Sequence, residues 1–195
     1  LVTDLPTSGR LAYVGIDNRA AGETAAFLIG EWLGEGPASV LVTLSSNRFR
    51  GEEEREMGFR GALRESYPHL GIVEISEGHG IDGATGELVR AELRRSPDIA
   101  AVYSAGGGNA AILRAFDKLG RTCRAFVGHD LDSDNRRLLL ERRISAVLHH
   151  DLGQDMQTAC RHIMSAHGVL PRASVPAASN VQVVTPFNIP APRHL

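Results

Sequence analysis

Most of the side chains able to do chemistry sit in five short polar clusters, each directly after a short apolar run. They are Ser45, Ser46 and Asn47; Glu77 and His79; Gly106, Gly107, Gly108 and Asn109; His129, Asp130 and Asp132; and His149, His150 and Asp151. A serine with a histidine base and an orienting carboxylate would form a hydrolytic nucleophile, with Ser45 or Ser46 beside His150 or His129 as the pair. The context Leu44-Ser45-Ser46-Asn47 is not the G-x-S-x-G elbow, and hydroxyls that contact a polyol or cap a helix suit it better. No catalytic residue is therefore assigned. Imidazole and carboxylate are also ordinary Zn²⁺ ligands. Adjacent strand residues point to opposite faces, however, so His149 and His150 cannot both reach one ion without a bend. No metal and no cofactor are expected. The three glycines before Asn109 suit a helix N-terminus that could meet an anion. They match neither G-x-G-x-x-G nor the P-loop pattern, and they read equally as close backbone approach with Asn109 as a helix cap.

The elements that position these clusters follow from periodicity. From Gly36 onward, β-branched apolar runs at 38–44, 71–75, 99–103, 123–127 and 144–148 alternate with helical segments at about 51–66, 82–95, 109–119, 133–142 and 152–167. In the third helix Ile112, Leu113, Phe116 and Leu119 form one apolar stripe. Five consecutive βα units imply an α/β fold with a Rossmann-like parallel sheet and helices on both faces. Right-handed crossovers bring all five strand ends to one edge, where such sheets bind ligands. Toward the start, 1–3 and 12–16 are strand-like and 20–32 is helical, with Phe27 and Trp32 expected in the core. Toward the end, 171–179 is rich in Pro, Ala and Ser, and an extended run at 180–189 is expected to return beside the N-terminal strands.

Composition narrows the function classes. The chain has 195 residues, a formal net charge of -2 and two cysteines, Cys123 and Cys160. A chain of this length buries roughly 70% of its unfolded surface, so it needs neither disulfides nor a metal for stability. The longest apolar runs fall far short of the ~20 residues that cross a bilayer, so no membrane partner is expected. Near-neutral charge gives no cationic face for nucleic acid. Of the 21 basic residues only Lys118 is a lysine, and arginine suits planar, bidentate recognition.

Several motifs in order carry a resemblance: Leu1-Val2-Thr3-Asp4, Val14-Gly15-Ile16-Asp17-Asn18 with Ala21-Gly22, the Arg55-x-x-Gly58-Phe59 helix, and Phe126-Val127-Gly128-His129-Asp130. Together they resemble the effector-binding core of the lac-repressor/galactose-repressor (LacI/GalR) family, which is shared with periplasmic sugar-binding proteins of the ribose-binding type. The resemblance covers nearly the whole chain and implies a periplasmic-binding-protein-like type I fold. It implies two α/β lobes with a small ligand, commonly a sugar, between them. The division expected is a partial N-terminal lobe at 1–36, a complete C-terminal lobe at 37–170, and a return segment with tail at 171–195.

The resemblance also supplies candidate ligand residues. Arg55 matches an arginine that forks onto sugar hydroxyls; otherwise it is one solvated charge among neighbouring glutamates. Asp130 matches a carboxylate that accepts from two hydroxyls, with Asp132 or Asp134 left to cap the next helix. Asp4 matches the carboxylate from the first lobe, and His79 the place of a stacking aromatic. His150 stands where glutamine is usual, with Asp151 as the following cap, and Asn109 stands on a loop that departs from the usual Asn-Asp pair. Ser45 and Ser46 complete the set. The function implied is a cytoplasmic, dimeric transcriptional regulator, not an enzyme, whose sugar-like effector alters operator DNA affinity through a helix-turn-helix outside this chain. A periplasmic sugar-binding transport protein is the alternative, and a Ser/His/Asp hydrolase the second. The regulator is preferred on 138–148 and on the helix start Asp134-Asn135-Arg136.

Overall fold

The computed structural model describes residues 12–46, 49–76, 78, 81–171 and 178–191; Asp4, His79 and the expected strand at 1–3 lie outside them. The strands form where apolar, mostly β-branched residues run unbroken. β1 (Ala38–Thr43) is buried along its whole length, as is β4 (Ala125–His129). β3 (Ile99–Ser104) is nearly so, and β2 (Leu70–Ile75) is half-exposed at the edge. With β5 (Ala146–His149) they form a parallel sheet in the order β2-β1-β3-β4-β5.

The far edge is closed by β6 (Gln182–Val184), which runs antiparallel to β5. This corrects the expectation for 180–189. The strand satisfies the otherwise bare edge of β5, and among the described residues the N-terminal segment is met at Ser179, which bridges to Ile16 and hydrogen-bonds to Gly15 and Asp17.

Alternation along the strands divides the core into two layers. Val40, Val42, Tyr103 and Val127 pack beneath α1 (Asn18–Leu33) and α2 (Arg50–Ser66). Leu41, Val102, Phe126 and Val147 face α3 (Asp82–Arg95), α4 (Asn109–Lys118) and α5 (Ser133–Leu140). Although the sequence division placed α1 within 1–36, in the structure it shares its core with β1, β3 and β4.

The buried face of α1 is made of Ala21, Ala25, Ala26, Ile29 and Leu33, mostly small residues that admit close helix approach. Phe27 and Trp32, expected inside, stand on the outer side at 58% and 41% exposure. The approach is closest at two glycines. A Cβ on Gly22 would lie 2.0 Å from the Arg55 carbonyl oxygen, and one on Gly58 would lie 2.3 Å from that of Arg19. Helix α6 (Leu152–Ala166) is packed differently: Asp155 is its one buried residue, while Leu152, Met156, Ile163 and Met164 are exposed.

Gly22→Ala is expected to lower stability by about 1–3 kcal/mol in urea unfolding, because overpacking outweighs the helix-propensity gain of about 1 kcal/mol. Gly61→Ala on α2, where a new Cβ meets nothing within 4 Å, serves as the control and should be neutral or stabilising.

Candidate ligand-binding site

Strand order reverses between β1 and β3, and an open α/β sheet forms a crevice beyond its strand ends at such a point. A pocket of about 350 Å³ lies there. Its walls come from the start of α2 (Phe49, Glu52, Arg55), from the loop between β3 and α4, and from the loop between β4 and α5.

The first two walls touch. A Cβ on Gly106 would lie 2.0 Å from the Ser45 backbone nitrogen, so only glycine allows this approach. Ser45 turns inward: its backbone N–H and its hydroxyl both donate to the Glu52 carboxylate, at 2.7 and 2.5 Å. Ser45 thus fixes a buried acid at the pocket wall, and Phe49, not a serine, occupies the cap position of α2. Ser46 is half-buried. Arg55 is buried one turn along from Glu52. Its Nε donates to Asn18 Oδ1 at 2.8 Å and its Nη1 to the Ala105 carbonyl at 3.1 Å, which ties α1, α2 and the β3 loop together.

The third wall is organised by Asn135, which sequence reasoning left out of the site. Its Nδ2 donates to the carbonyls of His129 and Asp130 at 2.9 and 2.7 Å. Its Oδ1 accepts from Asn109 Nδ2 at 2.6 Å. One buried amide therefore joins the two loops that carry Asn109 and Asp130. Asp130 adopts a left-handed backbone with φ of 63°, a conformation that few side chains tolerate and that aspartate and asparagine accept. Asp132 caps α5 by accepting the Asn135 N–H at 2.7 Å, leaving Asp130 free of that duty. Asn109 is not a cap: Gly108, with φ of 76°, holds that position, and the Asn109 Oδ1 is left buried without a partner.

His129 lines the pocket and shares a 2.8 Å hydrogen bond through Nε2 with the buried Tyr103 hydroxyl. Burial, followed by the nearby Arg55 charge and His150, pushes its ionisation well below the usual histidine range, so the ring is neutral. Tyr103 stacks on Phe59 with ring centroids 4.7 Å apart.

His150 lies behind the pocket. Its Nδ1 meets Asp155 Oδ2 at 2.5 Å, and the other Asp155 oxygen accepts from the Ser179 hydroxyl. Its Nε2 is 3.9 Å from Asp130 Oδ1 and has no hydrogen-bond partner. A histidine acting as base for a serine would need a hydroxyl on that nitrogen, and Ser179 sits on the carboxylate side instead. Asp151 caps α6 through the Gln154 N–H at 3.1 Å. Among the described residues, no group of three or more His, Cys, Asp or Glu is placed to hold a metal ion. Also among the described residues, no helix is long and apolar enough to cross a membrane.

The structure thus brings Arg55, Asn109 and Asp130 to one pocket, with Ser45 behind Glu52 and His150 behind Asp130. Glu52, His129 and Asn135 join them. A family model described as a periplasmic binding protein domain matches residues 1–166. The chain belongs to the periplasmic-binding-protein domain family. Solved structures of similar fold include GanP, a glucose-galactose binding protein from Geobacillus stearothermophilus. It is 24% identical with a TM-score of 0.85, over 96% of this chain and 67% of that one. AraP, an arabinose binding protein from the same organism, is 23% identical with a TM-score of 0.79, over 93% of this chain and 65% of that one. A fructose binding periplasmic domain of a hybrid two-component system is 22% identical with a TM-score of 0.83, over 95% and 62%. This periplasmic-binding-protein domain therefore spans about two thirds of the length of these relatives. No curated protein gives a significant match. These findings uphold the expected α/β fold, while the finer LacI/GalR assignment finds no counterpart among them.

Two outcomes test this geometry. Asn135→Ala leaves two carbonyls and the Asn109 amide without their partner and should cost about 2–4 kcal/mol in denaturant unfolding, given about 1–3 kcal/mol per buried unpaired group. His129 binds its proton less readily folded than unfolded, so stability present near neutrality is lost as pH falls below about 6.5, at up to about 1.4 kcal/mol per pH unit. Thermal unfolding of His129→Gln should show a shallower loss between pH 7 and pH 5 than the unsubstituted chain.

Proposed function

We propose that this chain is the sugar-binding unit of a periplasmic binding protein that serves a transporter or a sensor, and that it works by binding alone. The observation that carries the reading is the pocket at the β1/β3 reversal, where a guanidinium, an amide and a carboxylate converge on Arg55, Asn109 and Asp130. Donors and acceptors of these kinds suit the paired hydroxyls of a polyol. The names of GanP and AraP, a glucose-galactose and an arabinose binding protein, support the same class. The exposed apolar stripe of α6 supports a second lobe packed against this one, since a helix with one buried residue gains little from its own lobe.

The sequence features that favoured a regulator have a structural account. Leu138, Leu139, Ile144 and Val147 belong to the core. Asn135 braces the pocket, and Arg136 donates to the Pro190 carbonyl at 2.7 Å. Operator DNA, a homodimer and a cytoplasmic location go with the regulator reading; a transport or sensor role goes with a location outside the cytoplasm.

Calorimetric titration of the full chain with glucose, galactose, arabinose, xylose and fructose should find at least one that binds saturably. Asp130→Asn and Arg55→Ala should each weaken that binding at least tenfold. Binding by none of the sugars sinks the proposal, and unchanged affinity in both variants sinks the site. Sequence-specific DNA binding by the full chain would return the regulator reading.

A further inference from the structure

Helix α6 inverts the usual amphipathic pattern. It exposes Leu152, Met156, Ile163 and Met164 and buries an acid, Asp155. A buried carboxylate is costly unless donors reach it, and two do. His150 Nδ1 lies 2.5 Å from Asp155 Oδ2, and the Ser179 hydroxyl donates to Oδ1. Ser179 is itself fixed through its backbone, whose N–H donates to the Gly15 carbonyl at 2.8 Å and whose carbonyl accepts from the Asp17 N–H at 3.3 Å. With both oxygens held, the acid has little freedom to turn away from His150.

The pairing decides where the His150 ring carries its proton. A carboxylate only accepts, so Nδ1 must donate, and in the neutral ring Nε2 is left with a lone pair. That nitrogen is buried, has no hydrogen-bond partner and lies 3.9 Å from Asp130 Oδ1. Two acceptors then face each other, and no bond draws Asp130 back from the pocket. The opposite tautomer would turn an N–H toward Asp130. A small rotation of the carboxylate would then close a bond and occupy an oxygen needed for a ligand hydroxyl. The neighbouring imidazoles are engaged elsewhere: His149 Nδ1 accepts from the Leu131 N–H at 3.3 Å, and His129 Nε2 shares its hydrogen bond with the Tyr103 hydroxyl.

We propose that Asp155, which is not among the residues lining the pocket, is a positioning residue for ligand binding: it holds the His150 proton on Nδ1 and so keeps the Asp130 carboxylate open to the ligand. Its action passes through His150, and it touches no ligand itself. This gives the one buried residue of α6 a task that an apolar side chain at the same place would not perform.

Two measurements on the full chain test it. NMR of the histidine ring nitrogens at about pH 8, where imidazole is ordinarily neutral, with His150→Gln to assign the signal, should find the His150 proton on Nδ1 and Nε2 bare. Asp155→Ala should move that proton to Nε2. A proton on Nε2 of the unsubstituted chain, alone or together with one on Nδ1, overturns the proposal even where no variant folds. The second measurement is calorimetry with whichever of glucose, galactose, arabinose, xylose and fructose binds most tightly, and it rests on the sugar-binding reading above. Asp155→Ala should weaken binding by about fivefold or more, but by about twofold or less in an Asp130→Asn background, because the two changes act through one carboxylate. An equal loss in both backgrounds makes Asp155 a structural residue only and overturns the proposal. Binding by none of the sugars overturns the sugar reading, and the place of the His150 proton then still decides the role of Asp155.

Discussion

A buried parallel sheet has to be covered on both faces, and β1 imposes that condition here because every residue of it is buried. Antiparallel hairpins cannot meet it. Each return to the sheet must be a crossover through a helix, and handedness sends every crossover out at the same edge. The pocket is a by-product of this constraint. Because β1 and β3 are neighbours while their helices lie on opposite faces, the loops that leave them part, and the gap is where Glu52, Arg55 and Asn109 gather.

What could be read in the sequence was what depends on local pattern. The alternation of apolar runs and helical stripes marked the five parallel strands and the helices after them, with shifts of a residue or two at most boundaries. At β4 the strand begins later, at Ala125, and runs on to His129. Polar residues directly after strands marked the pocket edge. Long-range choices were harder to see. Phe27 and Trp32 are apolar at helical spacing, but α1 approaches α2 through its small residues, and a sequence does not say which stripe a neighbour will take. The pairing of 182–184 with β5 depended on an edge left open far away in the chain. Asn135 looked like part of a helix start. One signal was available: asparagine is a poor helix former, and a poor former inside a helix often has a hydrogen-bonding task.

The site is held by side chains that mostly bind one another. Ser45 commits both of its donors to Glu52, Arg55 reaches two other elements, and Asn135 spans two loops. Such cross-links reduce the ordering that a ligand would otherwise impose on arrival, which is how preorganised sites gain affinity. They also make the pocket a rigid feature of this lobe. Movement on binding would then fall to elements outside that network, of which the sparsely packed α6 is the plainest example.

The left-handed backbone at Asp130 limits how this protein can vary as much as how it folds. Most side chains are strained there; glycine, asparagine and aspartate are not. Of these, only aspartate and asparagine present a polar group of the same shape to the pocket, and their codons differ by one base. A lineage carrying this turn can exchange a charged contact for a neutral one in a single mutational step without disturbing the loop. Almost any other replacement would have to rebuild the turn first. The geometry thus leaves the charge of the pocket wall open to rapid evolutionary adjustment at a position where the backbone allows very little else to change.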